Sequence, residues 1–115
     1  MKLLIADPDR GFLASYQKLL TAAGHEVLTA FDGVQALSAL NEEEPEAVAF
    51  RADLPRINTV QFLAAAQKKQ IPVILTSTED LSGKYAVKPA AMLCFPFSFD
   101  TFLKAVGQAG KESHT

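Results

Sequence analysis

An α/β fold, with one parallel sheet covered by helices on both faces, is what this sequence predicts, and three observations predict it. Five short apolar runs are spread along the chain, and four are nearly uninterrupted by polar residues, as strands buried on both sides must be. Amphipathic segments with helical spacing separate the runs, so strand and helix alternate and the pairing is expected to be parallel. Acids, hydroxyls and one arginine gather just after the runs, at the carboxyl ends of strands, where open parallel sheets hold their binding chemistry.

The elements follow in order. "KLLIA" (2–6) is the first strand, and "DPDR" then places Asp7 at a helix cap, Pro8 at the first helical position and Asp9 in the first turn. Phe12, Leu13, Tyr16, Leu19, Leu20 and Ala23 recur at helical spacing, and Gly24 offers the stop. "EVLTA" (26–30) is the weakest strand and is expected toward an edge. "GVQALSALNEEE" reads as a helix with Val34, Leu37 and Leu40 on one side. "AVAF" (47–50) is a buried strand with Arg51 at its end, followed by a Leu-Pro turn and the helix "TVQFLAAAQKK", whose terminal cations suit the helix dipole. "PVILT" (72–76) is the fourth strand, and Thr76 or Ser77 with an acid three residues on reads as a capping box. The segment 79–89, "EDLSGKYAVKP", is interrupted by Gly83 and closed by Pro89, so a short or distorted helix is expected there. "AMLC" (91–94) is the last strand. "SFDTFLKAVGQAG" is a helix capped by Ser98 with Phe99, Phe102, Leu103 and Val106 facing inward. Residues 1–110 are thus expected to form one domain and 111–115 a flexible polar tail.

The chain has 115 residues, enough for one core and too few for two. It is 49% hydrophobic and 21% charged, the balance of a water-exposed folded domain rather than a disordered chain. No apolar run reaches the roughly 18 residues that a membrane helix needs, and the start "MKLLIADPDR" lacks the long apolar stretch of a signal peptide. The lone Cys94 leaves no internal disulfide and fits a reducing cytoplasm. A net charge of −2 gives no electrostatic footprint for nucleic acid or an anionic membrane, so neither is expected as a partner. Neither His25 nor His114 has a second ligand-type residue at metal spacing, and both are expected to be solvated.

Taken together, "IADPD" after the first strand, "DGVQAL" opening the second helix, "ADLP" after the third strand, "IPVILTS" as the fourth and "FPF" before the last helix resemble the receiver domain of bacterial response regulators. The resemblance covers roughly residues 1 to 110. It implies a flavodoxin-like three-layer sandwich with a five-stranded parallel sheet in the order 2-1-3-4-5, flanked by about five helices. It also implies a function in two-component phosphorelay. In that family an Asp ending the third strand takes a phosphoryl group from a histidine kinase, and a pair of acids after the first strand holds Mg²⁺. A hydroxyl after the fourth strand and a Lys before a Pro after the fifth bind the phosphoryl oxygens. The chemistry is a carboxylate nucleophile, a cation to offset charge and donors to fix the group.

Carried over residue by residue, most of that apparatus is replaced. The acceptor position, four residues before Pro55, is Arg51, which has no lone pair to attack phosphorus. The acid pair falls on Asp7 and Pro8, with Asp9 close by. The Lys position before Pro96 is Phe95, and the bond between them is expected to be cis, as is usual in the family. The hydroxyl position, Ser77, is kept. The resemblance therefore implies a pseudo-receiver with a degenerate pocket of Asp7, Pro8, Asp9, Arg51, Ser77 and Phe95, no catalysis and no Mg²⁺ or other cofactor. Arg51 is expected to engage Asp7, Asp9 or both, with a simple solvent-facing Arg51 as the bland reading. Phe95 is either a lid over the pocket or core packing. Signalling is then expected to be independent of phosphorylation and to act by protein contact. Lys88, Met92, Lys104 and Gln108 would lie on the face of fourth helix, fifth strand and last helix, offered to an output domain, a kinase or a second copy. Two alternatives stand beside it: an active receiver with a displaced acceptor, Asp53 or Asp9, or a small anion-binding module using Arg51. The sequence leaves open which partner and output are involved, and whether another domain follows residue 115.

Overall fold

A computed structural model, which describes residues 1–112, shows five parallel strands in the order β2-β1-β3-β4-β5. The elements are β1 (Lys2–Ala6), α1 (Arg10–Ala22), β2 (Glu26–Ala30), α2 (Gly33–Glu43), β3 (Ala47–Arg51), α3 (Thr59–Lys68), β4 (Val73–Ser77), β5 (Ala91–Cys94) and α4 (Phe99–Glu112). This is the flavodoxin-like topology expected from the motifs, with β2 at one edge.

The apolar runs explain the layers. β3 and β4 lie inside the sheet, and Val48, Phe50, Ile74 and Leu75 are buried because helices cover both faces. One layer packs Leu4, Val48, Phe50 and Leu75 against Ala36, Leu40, Phe62 and Leu63; the other packs Leu3, Ile5, Ala49 and Ile74 against Leu13, Leu20, Phe102 and Val106. Phe50 and Phe62 stack at 4.2 Å. Burying each such side chain contributes about 2 kcal/mol, so the alternation along β1 and β3 fixes which helices lie on which side.

Several local expectations are corrected. No helix forms between β4 and β5 among the described residues. Residues 78–90 run as turns instead, Gly83 taking φ 75° and Asp80 accepting hydrogen bonds from the Ser82 N–H and hydroxyl. Those hydrogen bonds hold the Asp80 carboxyl below its ordinary range. Local side-chain bonding of this kind competes with a helix, and the segment has no continuous apolar stripe to outweigh the competition. The Thr76/Ser77 capping box is consequently absent: the Ser77 hydroxyl accepts from the Glu79 N–H in a tight turn. Val34 and Leu19 are exposed, because α2 and α1 rotate Ala36 and Leu40, and Leu13 and Leu20, toward the sheet. His25 is only half-exposed, and its Nδ1 is buried, rather than solvated, with no hydrogen-bond partner among the described residues. His114 lies outside the described residues, as does most of the expected tail; α4 itself continues to Glu112.

Side-chain caps hold the helix starts. Asn58 accepts from the Val60 and Gln61 N–H groups at 2.9 and 3.4 Å. Asn58→Ala is expected to lower stability by about 1 kcal/mol, read as a shift of the urea midpoint at constant slope.

Candidate functional site

The carboxyl ends of β1, β3 and β4 adjoin, because Ala6 pairs with Phe50 and Arg51 with Thr76. The next residue of each strand therefore opens onto one shared edge. Asp7 follows β1 and is buried, at 1% side-chain exposure, and Arg51 ends β3 at 23%. Arg51 Nε lies 3.2 Å from Asp7 Oδ2. The N–H does not point at that oxygen well enough for a hydrogen bond, so the contact is a charge attraction, and among the described residues nothing donates a hydrogen bond to Oδ2. Asp7 Oδ1 accepts the Asp9 N–H at 2.8 Å. Burial pushes the Asp7 carboxyl above its ordinary range; the Asp9 N–H and the Arg51 charge oppose this. Desolvation thus outweighs the neighbouring cation.

Asp9 forms no ion pair with the guanidinium among the described residues. Its side chain accepts the Phe12 N–H at 3.1 Å, so Asp9, not Asp7, is the N-cap of α1, and the helix begins at Arg10. The sequence signal was ambiguous because an Asp stands on either side of Pro8. Pro8 is exposed and offers no side-chain donor.

The Arg51 guanidinium carbon sits 4.3 Å from the centre of the Phe95 ring. Phe95 follows β5, is held by its N–H to the Ser77 carbonyl at 2.7 Å, and is joined to Pro96 by a cis peptide bond. Its ring meets Phe12 edge-on at 5.6 Å and lies 4.5 Å from Phe97. From there aromatic contacts run through Tyr16 to Phe102 in the core. The Phe95 ring thus lies against the guanidinium and also against Phe12 and Phe97. Arg51 is placed by charge on one side and by a π-face on the other. Ser77 is buried near this edge, with its hydroxyl engaged by the Glu79 N–H. Asp53 is exposed in the loop after β3 at φ 64°.

One feature of this edge escaped the sequence reading. Gly33 donates its N–H to the Pro55 carbonyl at 2.7 Å, and Arg56 reaches Asp32 at 3.6 Å, tying the loop before α2 to the loop before α3. The Asp-Gly pair opening α2 was the only signal. Among the proposed interface residues, Lys88, Lys104 and Gln108 are exposed and Met92 is half-buried.

The donors present do not suit a divalent cation. Of the two buried carboxylates of this edge, Asp7 already faces Arg51, whose fixed charge would repel a second cation, and Asp32 caps α2 and faces Arg56. Asp9 is spent on its cap. Among the described residues no group of three or more acidic, histidine or cysteine side chains could hold a metal. The nearby carboxylate likewise opposes an anion at Arg51. Among the described residues, no helix is long and apolar enough to cross a membrane.

No protein-family model matches the chain. Among curated proteins it is similar to the transcriptional regulatory protein PrrA of Mycobacterium tuberculosis, 33% identical over 78 residues, covering 66% of this chain and 34% of that protein. It spans about a third of the length of the first curated relatives it matches. Among solved structures it resembles the chemotaxis response regulator CheY4 of Vibrio cholerae, at 27% identity and TM-score 0.82, covering 94% of this chain and 97% of that one. A CheY-like receiver domain protein from Methanospirillum hungatei shares the fold at TM-score 0.87 and 20% identity, over 98% and 95% of the two chains. By sequence similarity and by fold together, this chain belongs to the receiver domains of two-component response regulators.

Proposed function

We propose that this receiver domain signals without accepting a phosphoryl group and acts through protein contact. The observation that carries the reading is Arg51 at the end of β3, held between the Asp7 carboxylate and the Phe95 ring. Where the family places a nucleophilic carboxylate, a guanidinium has no electron pair to offer. Its charge also stands where a divalent cation would have to sit. The pocket Asp7, Pro8, Asp9, Arg51, Ser77 and Phe95 is, on this reading, a fixed scaffold rather than a switch set by phosphorylation. Relatives named as transcriptional regulatory proteins are about three times as long as the matched region, which fits a receiver that passes its state to an attached or separate protein. The surface for that contact is the β5 and α4 side, with Lys88, Met92, Lys104 and Gln108.

Incubation of the whole chain with acetyl phosphate and Mg²⁺, followed by intact mass, tests the chemistry. The expected spectrum is that of the unmodified chain. A stoichiometric phosphoryl adduct overturns the proposal, and its mapping to Asp53 or Asp9 would establish a displaced acceptor.

A further inference from the structure

The edge opposite this pocket, formed by the amino ends of the strands, carries its charge in two halves. On the β2–β1–β3 side stand Glu26, Glu42, Glu43, Glu44 and Glu46, answered within the chain by Lys2 and Lys69. Glu42 is exposed and has no ion-pair partner among the described residues. On the β4–β5 side lies a groove of about 560 Å³ between the end of α3 and the segment entering β5. Leu63, Ile71 and Val87 line it with the Gln67 and Gln70 amides and Lys88, and no acid lines it. Lys68 stands in the last turn of the helix that walls it, and neither Lys68 nor Lys88 has an ion-pair partner among the described residues. β3 is the central strand, and its amino end marks the boundary between the two halves.

We infer that this edge binds a second copy of the same chain through a two-fold axis perpendicular to the sheet, passing just beyond the amino end of β3. Such an axis sets the acidic half of each copy against the cationic groove of the other, so one surface is its own complement. The Lys68 and Lys88 ammonium groups and the Gln67 and Gln70 amides meet the Glu42–Glu44 turn, and each copy offsets the other's surplus charge. A like-to-like or parallel arrangement would oppose equal charges and is disfavoured. The contact leaves the Arg51 edge exposed at both outer ends of the dimer, and it does not depend on whether that edge takes a phosphoryl group.

Sedimentation velocity across protein concentration tests this on the whole chain. The expected result is a dimer in about 0.05 M salt that dissociates toward about 1 M salt, where the screening length falls to about 3 Å. Lys68→Glu with Lys88→Glu, and separately Glu42→Lys with Glu44→Lys, should each raise the dimer Kd about tenfold or more. Mixing the two doubly substituted chains should restore dimerisation, since both contacts of the mixed pair are then again between opposite charges. That recovery cannot come from chains that fail to fold. A wild-type chain that stays monomeric at low salt, a dimer indifferent to these substitutions, or a mixture that remains monomeric each overturns the inference.

Discussion

Gly33→Ala is expected to destabilise the domain by about 3 kcal/mol, the upper end of what overpacking ordinarily costs. A Cβ at Gly33 would lie 2.2 Å from Ile57 Cβ, 2.3 Å from its Cγ2 and 2.8 Å from its backbone nitrogen. A rotamer change removes only the Cγ2 clash, so the backbone of one loop has to move. That movement strains the hydrogen bond from the Gly33 N–H to Pro55 O and draws Arg56 from Asp32. Ile57→Ala in the same chain should therefore not rescue it, because the Cβ and the nitrogen remain. Gly107→Ala supplies the control: it lies within α4 with open space where its Cβ would go, and replacing a helical glycine should be neutral or stabilising by up to about 1 kcal/mol. Urea denaturation of the three variants checks the ordering. A Gly33→Ala chain within about 0.5 kcal/mol of wild type would show that the two loops are not locked together.

How this lock escaped the sequence, when the sheet did not, has a physical cause. A strand covered on both faces must be apolar throughout, so "KLLIA" carries its boundaries in its composition, while the edge runs "EVLTA" and "AMLC" are bounded by the glycine, proline and polar residues around them; the structure places β1, β2 and β5 on those residues. Helix faces are harder, because several apolar residues on α1 and α2 compete for the core and only packing decides among them. Val34 lost to Ala36 because a small side chain allows α2 to approach the sheet. The fourth helix failed for a different reason: local turns at Asp80, Ser82 and Gly83 outweigh a weak helical tendency that no strong apolar stripe supports. At the candidate site, Arg51, Asp7 and Phe95 could be named in advance because the family's spacing aligns strand ends. Their arrangement could not, since the division of labour between Asp7 and Asp9 depends on where α1 begins. Burial of one carboxylate and exposure of the other then separates their roles. The bond from Gly33 to Pro55 joins residues distant in sequence through backbone atoms, which every residue possesses, so the Asp-Gly pair opening α2 hints at a close approach without naming its partner.

Arg51→Ala should cost about 2 kcal/mol near pH 7, because it leaves a buried carboxylate with the Asp9 N–H as its remaining stabilising contact. Exposure of part of the Arg51 side chain keeps the figure below that of a fully buried pair. The pH dependence carries the stronger test. Burial raises the Asp7 pKa even with the cation present, so the folded chain binds this proton more tightly than the unfolded chain does. Stability linked to Asp7 is consequently full below the ordinary carboxylate range and is lost as pH rises through its folded pKa. Removing the guanidinium removes one influence that holds this pKa down, so the loss on raising the pH becomes larger and extends to higher pH. The gap between Arg51→Ala and wild type should be widest near neutrality and should close as the acid is protonated. Asp7→Asn, which keeps the shape without the charge, should be neutral or stabilising near pH 7, and Arg51→Ala in that background should lose most of its effect. Thermal melts of the four chains between about pH 4 and about pH 7 measure all of this. A constant gap across that range, or equal cost of Arg51→Ala with Asp or Asn at position 7, would locate the worth of Arg51 in its stacking on Phe95 and not in its charge.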